Sequence, residues 1–169
     1  WTLPSEQELR VRARLQAIRD SLAQIDSSQF RVPRMIYDGS RPMVVYGWHA
    51  HWMGGLYKTY DYSIVNVISY YSYDINPYSG ASRNPKAVQD FVQSDFVSNA
   101  QASDCGALLS ISLHGEDNVA TFLDQNPIAQ QTLMDSLIYL LDTTNADGIE
   151  INFQGVTDYY KDDFMKFVR

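Results

Sequence analysis

From Asp147 to Gln154 the chain alternates strictly, with Glu150, Asn152 and Gln154 on one side and Ile149, Ile151 and Phe153 on the other. That two-residue period predicts a short strand whose apolar face packs on helices and whose polar face looks elsewhere. Apolar runs at 43–48, 62–70 and 106–111 predict three earlier strands. Between them lie helix signals. Asn84-Pro85 opens a helix that puts Val88, Phe91, Val92 and Phe96 on an inner face, and a short helix is expected around Val119 to Leu123. Asn126-Pro127 then reads as a cap and first helical residue, leading through Ile128, Leu133, Leu137, Leu140 and Leu141 to an end near Asn145. A last apolar pattern over 162–169 opens one more helix. Strand then helix, repeated, predicts an α/β fold with a parallel sheet. Ahead of it, Leu15, Ile18, Leu22 and Ile25 form a helical stripe within 5–25, with Ser5 and Glu8 spaced as a capping box.

Polar side chains stacked along a parallel strand need a reason. In an eight-stranded α/β barrel the inward face of a strand carries reactive groups near its C-terminal end. Asp147-Gly148-Ile149-Glu150-Ile151-Asn152-Phe153-Gln154 resembles the fourth-strand motif D-G-x-D-x-D-x-E of glycoside hydrolase family 18, the chitinase-like barrels. Met43 to Trp48 is similar to that family's first strand, and Tyr62 to Tyr70 to its second, followed by an Asp-Ile-x-Pro-x-x-Gly turn at Asp74 to Gly80. Gly106 to Ile111 resembles the third, which in the family ends in S-x-G-G; here Ser110 is kept while Ser112 and Leu113 replace the glycines. The resemblance implies a parallel (β/α) TIM barrel of which residues 41–169 hold the first four units, after an amphipathic helix and linker over 1–40.

The same resemblance implies what the departures cost. Family members cleave sugars with substrate assistance: an acetamido carbonyl attacks the anomeric carbon while an acid protonates the leaving oxygen. Gln154 stands at the acid, and a carboxamide has no proton to give near neutral pH, which removes a step worth about 10²–10⁴-fold. Asn152 stands at the third acid and cannot supply negative charge to a developing oxazolinium, although it can still hydrogen-bond an N-acetyl group. Asn152 would remain a departure even with Glu at 154. The candidate catalytic set is therefore Asp147, Glu150, Asn152 and Gln154, impaired at its last two members. Three readings stay open: a glycan-binding barrel without efficient hydrolysis, a hydrolase of chitin-like or peptidoglycan-like polymers using Glu150 or a residue from elsewhere, and a structural module whose polar face is a satisfied interior network.

Composition narrows the ligand. A net charge of −7 disfavours nucleic acid, and no apolar run is long enough for a membrane span. Arg10, Arg12, Arg14 and Arg19 are interspersed with Glu6, Glu8 and Asp20, so the N-terminal segment is no basic patch. Twelve Tyr and three Trp are many for this length, and aromatic faces stack on sugar rings. Tyr46, Trp48, Trp52, Tyr70, Tyr71 and Tyr73 fall at or just beyond the first two strand ends. Tyr46, Trp48, Tyr70 and Ser110 are the candidate sugar contacts. His49, His51 and His114 follow strand ends without an evident carboxylate partner, so hydrogen bonds to backbone or sugar are expected of them rather than a metal site. Cys105, the single cysteine, precludes an internal disulfide and is expected to be a buried thiol. No phosphate loop or cofactor motif is present.

Length sets the last expectation. A complete barrel of this type takes roughly 250 residues, against 169 here. The expected partners are an N-acetyl-sugar glycan and whatever completes the barrel: further sequence, another chain or a second copy. By analogy with the family, the expected location is secreted, periplasmic or cell-surface.

Overall fold

In the computed structural model, the described residues are 36–37, 42–124 and 126–169. The expected helix within 5–25 lies outside them. Four strands, β1 (Tyr46–Ala50), β2 (Val67–Asp74), β3 (Gly106–His114) and β4 (Gly148–Gln154), pair side by side in chain order, all parallel. Among the described residues β1 and β4 each pair on one side only, so the sheet is an open arc with the architecture of a partial barrel. The helices are α1 (Pro85–Gln93), α2 (Phe96–Gln101), α3 (Glu116–Asp124), α4 (Pro127–Thr144) and α5 (Lys161–Phe167).

Local chemistry fixes most boundaries. Asn84 Oδ1 accepts from the Ala87 amide at 3.1 Å and Asn126 Oδ1 from the Ala129 amide at 3.0 Å, each followed by proline in the first turn. Asn145 ends α4 in the left-handed region at φ 57, its amide donating to the Leu141 carbonyl at 2.8 Å. Gly80 closes the Asp74–Gly80 turn at φ +73, and a Cβ there would stand 1.9 Å from the Ala129 carbonyl oxygen. Only glycine lets this turn lie against the start of α4.

Three expectations are corrected. Met43 belongs to a two-residue antiparallel ribbon, Ile36–Tyr37 with Pro42–Met43, and the sheet strand begins only at Tyr46. Tyr62–Ile64 is a 3-10 turn because the Asp61 carboxylate accepts from the Ser63 amide at 3.0 Å, offering the backbone an alternative to the ladder. The second strand begins only at Val67 and runs four residues past Tyr70, to Asp74. Phe96 opens α2 after a break at Ser94 and Asp95 instead of continuing α1.

The core lies between the sheet and the helices. Ile68, Tyr70, Ala107, Leu109, Ile111 and Leu113 are buried there, with Ile149, Ile151 and Phe153 packed against them. Around Phe153 stand Phe122, Phe164 and Phe167, at centroid distances of 5.9, 5.7 and 5.5 Å. Cys105 is fully buried, as its apolar surroundings predict.

Candidate functional site

The register carries the alternation of one strand into its neighbours. Trp48 lies beside Ser69, Tyr71 beside Ser110, Ser110 beside Glu150, Ser112 beside Asn152, and His114 beside Gln154. These residues share the face turned away from the helices, the inward face of the arc. Gln154 is exposed at the C-terminal end of β4, and its Nε2 donates to Asn152 Oδ1 at 3.3 Å. Gly155 follows at φ +101, where a Cβ would press to 2.8 Å from the Glu116 amide nitrogen, so the chain leaves the site through a position that favours glycine. Deeper along the strand, the Ser69 hydroxyl donates to Glu150 Oε2 at 3.4 Å. Trp48 Nε1 donates to the Tyr46 hydroxyl at 3.0 Å, their rings meeting edge to face at 5.8 Å. Burial first, and then the Glu150 charge, raise the Tyr46 phenol above its usual value, with a hydrogen bond from Ser69 acting the other way. Tyr46 and Trp48 are 41% and 58% exposed, open to a ligand.

Three proposed site residues are placed differently from what their positions suggested. Tyr70 points to the helices, 3% exposed among Phe91, Phe96 and His49, and burial pushes its phenol up to about 12. It is a core residue. Asp147 sits at the opposite end of β4 from Gln154, where its Oδ2 accepts from the Ala107 amide at 2.7 Å and its own amide donates to the Ala107 carbonyl at 2.8 Å. It ties β4 to β3. Ser110 is on the inward face but fully buried, its hydroxyl without a hydrogen-bond partner among the described residues. His49 is likewise not a loop residue: it lies within β1 on the helix side, fully buried, bonded through Nδ1 to the Tyr60 hydroxyl at 3.0 Å, with its pKa lowered chiefly by burial.

The structure gathers a second group that the sequence pattern did not assemble. A polar hollow of about 220 Å³ at the tips of β2 and β3 is lined by His51, Tyr71, Ser72, Asp74, Asn84, Ser112 and His114. Between Tyr71 and Tyr73 the register with β3 shifts, and the Ser72 and Ser112 hydroxyls bond at 2.8 Å. The Tyr71 hydroxyl meets His114 Nε2 at 3.1 Å. His51 is fixed by two bonds: Nδ1 to the Tyr71 carbonyl at 3.2 Å and Nε2 to Asn84 Nδ2 at 3.0 Å. A carbonyl only accepts, so the ring proton is on Nδ1, and Nε2 takes the Asn84 amide hydrogen. Both His51 nitrogens are thereby occupied. Among the described residues no three His, Cys, Asp or Glu side chains come together as a metal site. A larger hollow, about 510 Å³, opens on the helix side between α1 and α4, lined mainly by apolar groups such as Pro85, Val88 and Leu140. It lies away from the polar strand tips, and the smaller hollow is the better chemical candidate.

No protein-family model matches the chain, and no curated protein does. Solved structures do. A chitinase from Bacteroides thetaiotaomicron superposes with a TM-score of 0.61 at 16% identity, over 75% of this chain and 41% of that one. A family 18 chitinase from Cycas revoluta, in complex with (GlcNAc)3, gives 0.62 at 17% identity over 75% and 39%. The fold is that of the family 18 chitinases. The spore cortex-lytic enzyme SleL from Bacillus cereus extends the same likeness, 0.59 at 11% identity over 85% and 37%. The chain spans about two fifths of the length of these structures. Among its described residues no helix is long and apolar enough to cross a membrane.

Proposed function

We propose that this chain binds a glycan containing N-acetylglucosamine along the C-terminal ends of its strands and does not hydrolyse it efficiently. The observation that carries the reading is the Asn152–Gln154 amide pair at the exposed end of β4. In the motif that β4 resembles, those positions are acids. Two carboxamides there can accept and donate hydrogen bonds to an acetamido group but can neither protonate a leaving oxygen nor balance a cation. Tyr46 and Trp48, half open on the same face, supply stacking surface. Residues 41–169 serve as the first half of a barrel completed by further sequence or a partner chain, and the protein acts outside the cytoplasm.

The active-glycosidase reading needs another acid, and Glu150 is the one on the same face. It lies four residues before Gln154, about 13 Å deeper at a strand rise of roughly 3.3 Å per residue. A sugar seated against Gln154 is therefore out of its reach. Calorimetry with chito-oligosaccharides and turnover of an aryl chito-oligosaccharide test both readings. The expected result is binding without turnover, and gain of turnover in an Asn152→Asp, Gln154→Glu double variant. Turnover by the natural chain that Glu150→Gln abolishes would overturn the proposal, and absence of heat at millimolar ligand would favour a scaffold.

A further inference from the structure

The hollow at the tips of β2 and β3 differs in charge from the amide pair on β4. Among the described residues, Asp74 is the only carboxylate in its lining, and no lysine or arginine lines it. The Asp74 carboxylate has no hydrogen-bond or ion-pair partner among the described residues. The nearest cation in sequence, Arg83, reaches instead to Asn118 Oδ1 at 3.5 Å. His51 already spends both ring nitrogens on the Tyr71 carbonyl and Asn84, and His114 Nε2 meets the Tyr71 hydroxyl, so neither ring bonds that carboxylate through those atoms. At the rim stands Trp52, 70% exposed, its ring edge to face with His51 at 4.9 Å and with Tyr71 at 6.2 Å. A carboxylate in the lining, together with an exposed indole packed on two other lining residues, is a combination that favours a cation, by charge-assisted hydrogen bonding to the carboxylate and by attraction to the ring's electron-rich face. The volume, about 220 Å³, equals about seven waters at their liquid volume, which suits one sugar ring and not several.

We infer that this hollow seats a protonated 2-amino sugar, a de-N-acetylated unit of the glycan, with Asp74 as counter-ion and Trp52 as stacking platform. Asn84 is a positioning residue: it holds His51, which holds the Tyr71 carbonyl, and so keeps the hollow's shape. The inference rests on the reading above in taking a sugar polymer as ligand, but it asks for a different unit of that polymer.

The test is calorimetry on the full chain at pH 7 with two tetramers, one fully N-acetylated and one fully de-N-acetylated. The de-N-acetylated tetramer is expected to bind the natural chain more tightly by about tenfold or more at low salt. That preference should shrink as salt rises and vanish in Asp74→Asn, which keeps the side chain's shape. Trp52→Ala, at an exposed position, should weaken the same ligand. Equal affinity for the two tetramers, or an undiminished preference in Asp74→Asn with unchanged circular dichroism, overturns the inference. If only the acetylated tetramer binds, the hollow fails and the reading of the β4 site stands. If only the de-N-acetylated one binds, the reverse holds.

Discussion

The two faces of the same four strands follow opposite rules. Toward the helices the sheet presents Tyr70, Leu109, Ile111 and Leu113, each no more than 3% exposed, and its titratable groups there are pushed toward their neutral forms. Toward the interior of the arc it presents Tyr46, Trp48, Glu150, Asn152 and Gln154, open or half open and joined by few hydrogen bonds. The helix side resembles any α/β core, where close packing sets the stability. The inward side keeps polar groups that do little for folding. Residues that fold the chain and residues that meet a ligand are thus separated by the pleat alone, one position apart along each strand.

The largest expected effect breaks the helix side. Phe122 is fully buried, 5.9 Å from Phe153 and 5.4 Å from Phe167. Phe122→Ala should cost about 3–5 kcal/mol in urea denaturation. Gln154→Ala, exposed on the inward side of the strand that Phe122 covers, should stay within about 0.5 kcal/mol. Comparable losses in the two variants would end the distinction between the faces.

Next in size is Asp147, which the motif groups with the inward residues and the structure sets at the far end of β4. Its carboxylate accepts from the Ala107 amide at 2.7 Å. Asp147→Ala should lose about 1.5–3 kcal/mol, the range for a hydrogen bond to a charged group, and leave chito-oligosaccharide affinity unchanged. An affinity loss with intact stability would return Asp147 to the ligand-binding side.

Asp147 also shows what a sequence can and cannot tell. The alternation in β4 was legible because period two is local, and Asn84-Pro85 as a helix start and Asn126 as a cap were legible because the proline in each marks the first turn. Tyr70 was misplaced because the apolar run at 62–70 sets the end of the second strand there; with four more residues to run, Tyr70 is mid-strand and faces the helices. The hollow was illegible for another reason. Its defining bonds, His51 to Asn84 and Tyr71 to His114, join residues 33 and 43 positions apart. Asp74 was in view only as the first residue of a turn motif.

A smaller effect probes the edge of the helix-side aromatic cluster. Tyr57 packs against His49 and Phe96, and its hydroxyl donates to Asp95, which also pairs with Lys58 at 2.9 Å. The Tyr57 hydrogen bond first, then Lys58, hold the Asp95 carboxyl at about 2, below its ordinary 3.8. A depressed folded-state value means that the ionised form favours folding. The contribution is complete above the ordinary value and is lost as pH falls from about 4 toward 2. Because the pair is solvent-exposed, the effect should be modest. The melting-temperature advantage of the natural chain over Asp95→Asn should shrink across that window. A difference that stays constant from pH 6 to pH 2 would show that the tether to the cluster is not electrostatic.

The smallest expected change has the opposite sign and lies on the inward face. The Ser110 hydroxyl is fully buried and has no hydrogen-bond partner among the described residues, beside Glu150 on one side and Tyr71 on the other. A buried hydroxyl without a partner carries a desolvation penalty that a methyl group does not. Ser110→Ala should therefore leave stability unchanged or raise it by up to about 1 kcal/mol, whereas truncation of a well-satisfied core group lowers it. A variant that loses stability instead would mean that the hydroxyl is satisfied in solution, and the inward face would then share the helix side's rule.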